Sequence, residues 1–163
     1  MDNSITWNNT RAVLEEYAMT VRNLYQDKLI MHDHIATGNL LNSLNYVVNV
    51  NDTRIEVSLQ LEDYWKYVEY DTKPHWPPVD AITNWIKAKP VLPHKVFDGK
   101  LPDTKQLAFL IGRKISEEGT TGTHSLEETV QEVNTIFELK LEEAIMNDLT
   151  SDINAILIRG FMD

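Results

Sequence analysis

The segment from residue 125 to residue 159 constrains the fold most, because its apolar side chains keep a helical period along its whole length. Ser125 and Glu128 form a capping box that predicts the start of the helix. The apolar residues that recur at three- and four-residue spacing are Val130, Val133, Ile136, Phe137, Ile145, Leu149, Ile153, Ile156 and Leu157. A helix of about 35 residues extends ~50 Å, longer than a domain of this size needs for its own core. We therefore expect this helix to contact neighbouring subunits, and a break near Thr150 and Ser151 stays open.

The first part of the chain changes from a helical period to a strand period. Apolar positions at helical spacing predict a helix over residues 10–31, capped by Asn9 or Thr10. Residues 43–50 and 53–61 alternate instead between apolar and polar side chains, which predicts two strands with one solvated face. Asn51 and Asp52 between them favour a turn, so the two runs are interpreted as a hairpin.

Residues 63–89 hold three of the four tryptophans of the chain, and three prolines lie among them. Large rings bury much area at low entropy cost, so this segment is expected to be either a packing centre or an interface anchor. A short helix follows Pro77 and Pro78. The core candidates are Tyr67, Val68, Trp85 and Ile86. The candidates for subunit contacts flank the turn and the prolines: Tyr64, Trp65, His75 and Trp76.

After this helix, residues 90–102 are expected to form an extended loop. Asp103 is the expected cap of a further helix whose apolar face includes Leu107 and Ile115, and Gly119 is its expected end. Residues 119–124 are interpreted as a flexible polar linker before the long helix.

The net charge of −10 is distributed unevenly and disfavours a free-standing DNA binder. Residues 1–72 carry five basic and eleven acidic side chains, residues 73–114 eight and three, and residues 115–163 two and eleven. Solvated helix faces with a chance asymmetry explain this pattern. Alternatively, the basic segment of one copy meets an acidic face of another copy, or a polyanion.

Composition excludes several kinds of site. The chain has no cysteine, which removes disulfides, thiolate zinc sites and thiol nucleophiles and suits a reducing compartment. Neither a signal peptide nor a membrane-spanning helix is predicted. The length suits one domain spanning residues 1–163.

No catalytic constellation is recognisable. His32 and His34 flank Asp33, but side chains two positions apart on a helix point in different directions, so a surface role is favoured over a metal site. Gly112 to Lys114 lack the remainder of a phosphate-binding loop. We therefore predict no catalytic, cofactor-binding or metal-binding residues, and no enzyme.

Four blocks of sequence resemble, in order, the phage neck and tail-completion proteins also known as minor capsid or virion morphogenesis proteins. Residues 37–44 (TGNLLNSL) resemble the TGxLxxS element of that family, and residues 64–72 (YWKYVEYDT) resemble its YAxYVEYGT element. Residues 74–87 resemble its PHxPP and IxxWIKxK continuation, and residues 108–120 (AFLIGRKISEEGT) its AFxIARKIxxxGT segment. Asp71 stands where the family has glycine, and the loop over residues 90–102 is unusually long.

The resemblance implies an α+β subunit with an N-terminal helix, a small and mainly antiparallel sheet, and helices packed on one face. The hairpin and the long C-terminal helix predicted from periodicity complete the expected fold. The resemblance also implies a virion protein that forms a homo-oligomeric ring in the neck, made in the host cytoplasm, joining the portal and head to the tail. Expected partners are the portal, adaptor or tail proteins, and double-stranded DNA that passes without sequence specificity. No cofactor and no membrane contact are expected. Lys95 and Lys100 are the residues placed nearest to the lumen or a neighbouring ring.

Three alternatives remain at this point. One is a tail terminator or tail-tube ring at the top of the tail, and another is a nucleic-acid-binding accessory protein that uses the basic middle segment. The third is a small hydrolase in which His75, His94 or His124 converges with a carboxylate.

Overall fold

The computed structural model of the chain describes residues 5–32, 38–51, 54–89, 91 and 101–160. This part of the chain is α+β, as predicted. The helices are α1 (Asn8–Met31), α2 (Asn39–Ser43), α3 (Trp65–Glu69), α4 (Val79–Ala88), α5 (Thr104–Glu118) and α6 (Ser125–Gly160). The strands are β1 (Asn45–Asn51) and β2 (Arg54–Gln60), which form a two-stranded antiparallel sheet.

The contacts of the chain group its residues into two compact units. Unit 1 draws on residues 1–28, 44–61 and 126–163, and unit 2 on residues 29–43 and 62–125. The single domain predicted over residues 1–163 stays a prediction.

The core of unit 1 joins the first and last helices of the chain. Val21 of α1 and Val133 and Phe137 of α6 are buried together, and Leu59 of β2 packs against this cluster. Tyr17 meets the Phe137 ring edge-on, with the ring centroids 5.6 Å apart. The helical period of the two segments therefore places side chains distant in sequence in one core.

The start of α1 differs from the predicted cap. The helix begins at Asn8, so Asn9 and Thr10 lie inside its first turn rather than before it. Asp148 of α6 accepts hydrogen bonds from the backbone N–H groups of Asn9 at 3.0 Å and Thr10 at 2.8 Å. The Asn9 side chain donates to the same carboxylate at 2.7 Å. The prediction of a local cap was wrong because a distant carboxylate satisfies these N–H groups.

Asp148 is buried, with 2% of its surface exposed. Burial raises the pKa of its carboxyl, but the hydrogen bonds from Thr10 and Asn9 together outweigh burial and hold the pKa below its ordinary value. The group is therefore an ionised cap inside unit 1 at neutral pH.

The long C-terminal helix predicted over residues 125–159 is confirmed as α6. It continues through Thr150 and Ser151, so the break considered there is absent. Its 36 residues correspond to about 54 Å at 1.5 Å per residue.

The predicted hairpin is present with slightly shorter strands. The register pairs Asn45 with Gln60 and Asn51 with Arg54, so Asn51, an expected turn residue, is instead the last residue of β1. Asp52, one of the expected turn residues, lies outside the described residues. Tyr46, Val48 and Val50 share one face, and Val50 is buried, whereas asparagines occupy most of the other face of β1.

Unit 2 has its own small core between α4 and α5. Ile82 and Ile86 of α4 are buried against Ala108 of α5. Asp103 caps α5 as predicted: its side chain accepts from the N–H of Gln106 at 2.8 Å, and the Gln106 side chain accepts from the N–H of Asp103 at 3.0 Å. This is a complete capping box.

Two of the expected core residues are not in a core. Tyr67 is 67% exposed and Trp85 is 41% exposed, whereas Ile86 is buried and Val68 half-buried. In the five-residue helix α3 the fully buried side chain is Glu69, so Tyr67 points outward. In α4, Ile82 and Ile86 occupy the contact with Ala108, and Trp85 is not part of this cluster.

Candidate subunit-contact surfaces

Residues 74–78, which we call the proline elbow, pack against α5. Pro77 is buried, and a Cβ placed on Gly112 of α5 would lie 3.8 Å from it and 3.9 Å from Trp76. The backbone N–H of His75 donates to the carbonyl oxygen of Ile115 at 3.5 Å. Small residues on α5 therefore let the elbow pack closely against the helix.

Residues 119–124 lie against residues 68–72 in an arrangement that we call the glycine clamp. Thr72 and Thr120 form an antiparallel bridge, with N–H to carbonyl distances of 2.9 and 3.3 Å. Their hydroxyl groups are 2.8 Å apart. Thr123 and His124 donate their backbone N–H groups to the carbonyl oxygens of Val68 and Glu69.

Two glycines make the glycine clamp possible. Gly119 has φ of 79°, and an added Cβ would lie 2.0 Å from the Thr72 carbonyl oxygen. A Cβ on Gly122 would lie 2.3 Å from the Glu69 carbonyl oxygen. Gly119 ends α5 as predicted. The interpretation of residues 119–124 as a flexible linker was wrong, because close backbone pairing fixes this segment.

The four residues expected to make subunit contacts all lie in unit 2. Tyr64 is 40% and Trp76 51% exposed, His75 is exposed, and Trp65 is half-buried. Trp65 leans on the ring of Tyr70, with centroids 5.8 Å apart. Their role in subunit contacts stays a prediction.

Two of the predicted contact residues pack against aromatic rings that are not among the predicted contacts. Trp76 packs on Phe109 of α5 with ring centroids 5.6 Å apart, and Phe109 is itself 53% exposed. Trp65 has Tyr70 as its neighbour. Phe109 lies outside the apolar stripe of α5. A large ring on the solvated side of a helix is the signal by which the sequence could have identified it.

A second apolar surface lies on α6. Seven large apolar side chains of this helix are more than half exposed: Ile136, Leu139, Met146, Ile153, Ile156, Leu157 and Ile158. From Ile153 to Arg159 every residue is exposed, so this end of the helix extends beyond the core of unit 1. Exposed apolar area of this extent is typical of an interaction surface.

Among the residues considered for chemistry, His124 lies near a carboxylate, but both side chains are largely exposed. The described residues contain no group of three or more His, Asp or Glu side chains arranged to hold a metal ion. The ring of exposed His75 lies 2.8 Å from the Lys73 carbonyl oxygen, and His124 Nε2 lies 3.5 Å from Asp71 Oδ1. His94, Lys95 and Lys100 lie outside the described residues.

Basic side chains of α5 are already paired within the helix. Arg113 contacts Glu117 at 2.9 Å, and Lys114 contacts Glu118 at 3.7 Å. All four side chains are more than half exposed, so these pairs contribute little to stability but reduce the positive field of this face. Among the helices that can be described, none has the length and apolar character needed to cross a lipid bilayer.

Comparisons of the chain with protein-family models, with curated proteins and with solved structures gave no match.

Proposed function

We propose that this protein is a structural virion subunit that forms a ring in the phage neck, joins the head to the tail and continues the conduit for DNA. Copies would contact one another head to tail, each using one surface to bind a different surface of its neighbour, which closes a ring when the rotation is suitable.

The observation that carries the proposal is the convergence in unit 2 of the sequence blocks that resemble the neck proteins. Ser43 of the first block accepts a hydrogen bond from the N–H of Glu62, just before the second block, at 3.1 Å. The second block is bridged to the fourth through Thr72 and Thr120. The third block packs on the fourth where Pro77 approaches Gly112. Each block therefore has a structural reason for its residue types.

Exposed rings on a rigid support favour a role in protein contacts. Trp76 and Tyr64 keep much of their surface exposed, and the backbone next to Trp76 is bonded to α5 through the N–H of His75. Rigid aromatic side chains lose little entropy on binding and are frequent anchors of interfaces. The proposal assigns Tyr64, Trp65, His75 and Trp76 to the contact between neighbouring copies.

The charge distribution supports contacts between unlike surfaces. Residues 73–114 carry five more basic than acidic side chains, and residues 115–163 nine more acidic than basic ones. Like surfaces of two copies would repel, whereas the basic segment of one copy and the acidic segment of the next attract. An excess of acidic residues also suits a wall along which DNA passes without binding.

The test is a symmetric reconstruction of the virion that contains this chain. The proposal expects a closed ring of copies between portal and tail, with Trp76 at the contact between neighbours. A ring at the top of the tail tube would identify a tail terminator instead. A virion map without this chain at the neck would refute the proposal.

A salt-dependent mobility shift with duplex DNA provides a second measurement. The proposal expects no shift at near-physiological ionic strength. A strong shift there would favour the nucleic-acid-binding alternative.

A further inference from the structure

Helix α6 carries apolar side chains on two opposite faces. One face is buried in unit 1 and includes Val133, Phe137, Ala144 and the capping carboxylate of Asp148. At about 100° per residue, Leu139, Met146 and Ile153 lie on the other side of the helix. They are 76%, 60% and 56% exposed, respectively. A helix needs one apolar face to pack in its own unit, so the second face requires its own explanation.

The exposed face has the spacing of a helix-pairing surface. Leu139, Met146 and Ile153 recur every seven residues, and Leu149 and Ile156 follow the last two of them by three. We call four of these residues the α6 seam: Met146, Leu149, which is half-buried, Ile153 and Ile156. Alternating spacings of three and four residues form the seam of a coiled coil, which fits another helix and not an extended peptide. The expected occupant is therefore a helix.

Charge separates α6 into two halves. Six glutamates lie between Glu127 and Glu143, whereas the remainder of the helix carries Asp148, Asp152 and Arg159 as its charged residues. Asp148 is buried in its cap, and Asp152 accepts a hydrogen bond from the N–H of Thr6 at 2.7 Å. The α6 seam from Met146 to Ile156 is thus nearly free of unpaired charge.

We propose that the α6 seam binds the α6 seam of a second copy of this chain in an antiparallel arrangement. Centred near residue 151, the two helices place Met146 opposite Ile156 and Leu149 opposite Ile153, and the two-fold symmetry repeats both layers. Each layer is apolar on both sides. The surface is complementary to itself and needs no further protein.

Electrostatics selects the antiparallel orientation. A parallel pair would bring the glutamate-rich halves side by side, with Glu142, which lies on the same side of the helix as the α6 seam, opposite its own copy. The antiparallel pair keeps these halves at opposite ends. It also brings Arg159 to the level of Glu143 of the second copy and opposes the two helix dipoles. The glutamates that repel one another in the parallel pair are therefore separated in the antiparallel pair, where Glu143 is attracted to Arg159.

The pairing goes beyond the proposed neck function and does not depend on it. It joins like surfaces through a two-fold axis, whereas a ring closes through unlike surfaces. A virion map that refutes the neck function would leave the α6 pairing intact, and a failure of the pairing would leave the ring proposal intact.

Disulfide trapping in the full chain tests the pairing, and the absence of cysteine in the sequence makes single-cysteine variants unambiguous. Met146→Cys protein is mixed with Ile156→Cys protein at high micromolar concentration under mild oxidation. The antiparallel pair places these two positions within bonding reach. It separates like positions by ten residues, or ~15 Å along the axis, too far for a disulfide. We expect the mixture to yield at least tenfold more cross-linked dimer than either variant by itself.

Matched substitutions complete the experiment. Ile153→Glu, introduced into both cysteine variants, is expected to reduce cross-linking at least tenfold. Asn154→Glu, at the adjacent exposed position outside the α6 seam, is expected to leave it within twofold. Circular dichroism checks that both remain folded, as their exposure predicts. Equal cross-linking of each variant with itself, no cross-linking in the mixture, or insensitivity to Ile153→Glu would each overturn the proposal.

Discussion

Replacing Asp148 with asparagine tests whether a carboxylate from the end of the chain holds the start of α1. The carboxylate accepts three hydrogen bonds, from the N–H groups of Asn9 and Thr10 and from the Asn9 side chain, at 2.7–3.0 Å. Asparagine keeps the volume but replaces one acceptor oxygen with an N–H₂ group. That group would face the Thr10 N–H, which is also a donor.

The expected cost follows from the burial of these groups. A hydrogen bond to a charged group contributes about 1.5–3 kcal/mol, and leaving a buried donor without an acceptor costs about 1–3 kcal/mol. Some bonds survive in the variant, so the free energy of unfolding should fall by about 2–3 kcal/mol at pH 7. Asp152→Asn is the matched control. This substitution removes the charge from the acceptor of one exposed hydrogen bond, which the N–H of Thr6 donates, and should lower the free energy of unfolding by less than about 1 kcal/mol.

The pH dependence provides an independent check. The folded-state pKa of Asp148 is lowered, so its contribution to stability is complete above the unfolded pKa of about 3.9 and is lost as the pH falls through the folded pKa. The difference in stability between wild type and Asp148→Asn should therefore shrink below about pH 4.

Urea denaturation followed by circular dichroism at pH 7 and at successively lower pH measures both effects. Equal stabilities for Asp148→Asn and Asp152→Asn at pH 7 would show that the buried carboxylate does not hold the helix. A difference between wild type and Asp148→Asn that stayed constant down to pH 3 would contradict the role of its charge.

Further predictions concern the glycine clamp and the α1–α6 contact. Gly122→Ala should lower the free energy of unfolding by about 2–4 kcal/mol, measured as a lower melting temperature, because its Cβ would meet the Glu69 carbonyl oxygen. Gly112→Ala is the control: its Cβ fits at 3.5 Å or more, and alanine should add up to ~1 kcal/mol in a helix. Thr72→Val removes the hydroxyl contact to Thr120 and should cost about 1 kcal/mol in urea denaturation. Burial raises the pKa of Tyr17, so wild type should lose stability above the ordinary tyrosine pKa of about 10, and Tyr17→Phe should not show this loss; identical alkaline profiles would contradict it.

Local signals predicted the elements of the fold well. The Asp103 capping box, the end of α5 at Gly119 and the length of α6 each depend on residues within one helix or one turn of it. The pairing of the two strands followed from their alternation of apolar and polar residues. Such features are recognisable because the interacting groups are neighbours in the sequence.

Long-range contacts account for the errors. The carboxylate that caps α1 belongs to a residue 138 positions away from Thr10, and no residue near Thr10 in the sequence indicates this contact. Residues 119–124 have the composition of a linker, and only the approach of the Thr72 backbone explains why glycine is needed there. Sequence periodicity likewise cannot show which residues of the apolar stripe of α4 are covered by another element, which is why it predicts Trp85 in the core although this residue is 41% exposed.

The candidate contact surfaces were predictable in part. Aromatic content and prolines indicated Trp76 and its neighbours, but Phe109 joins them only through the packing of α5. On α6 the apolar pattern was evident. Which apolar residues of α6 are buried in unit 1 depends on the tertiary structure. The exposed apolar face could therefore be identified only from the structure.

The remote cap of α1 also sets an order for folding during synthesis. Unit 2 draws on residues up to 125, so its contacts can form before α6 has been made. The N–H groups of Asn9 and Thr10 must wait for Asp148. At roughly 5–20 residues per second, that delay is on the order of ten seconds. Helix α1 is therefore synthesised well before its cap, and the N–H groups at its start lack the Asp148 carboxylate until that residue has been made.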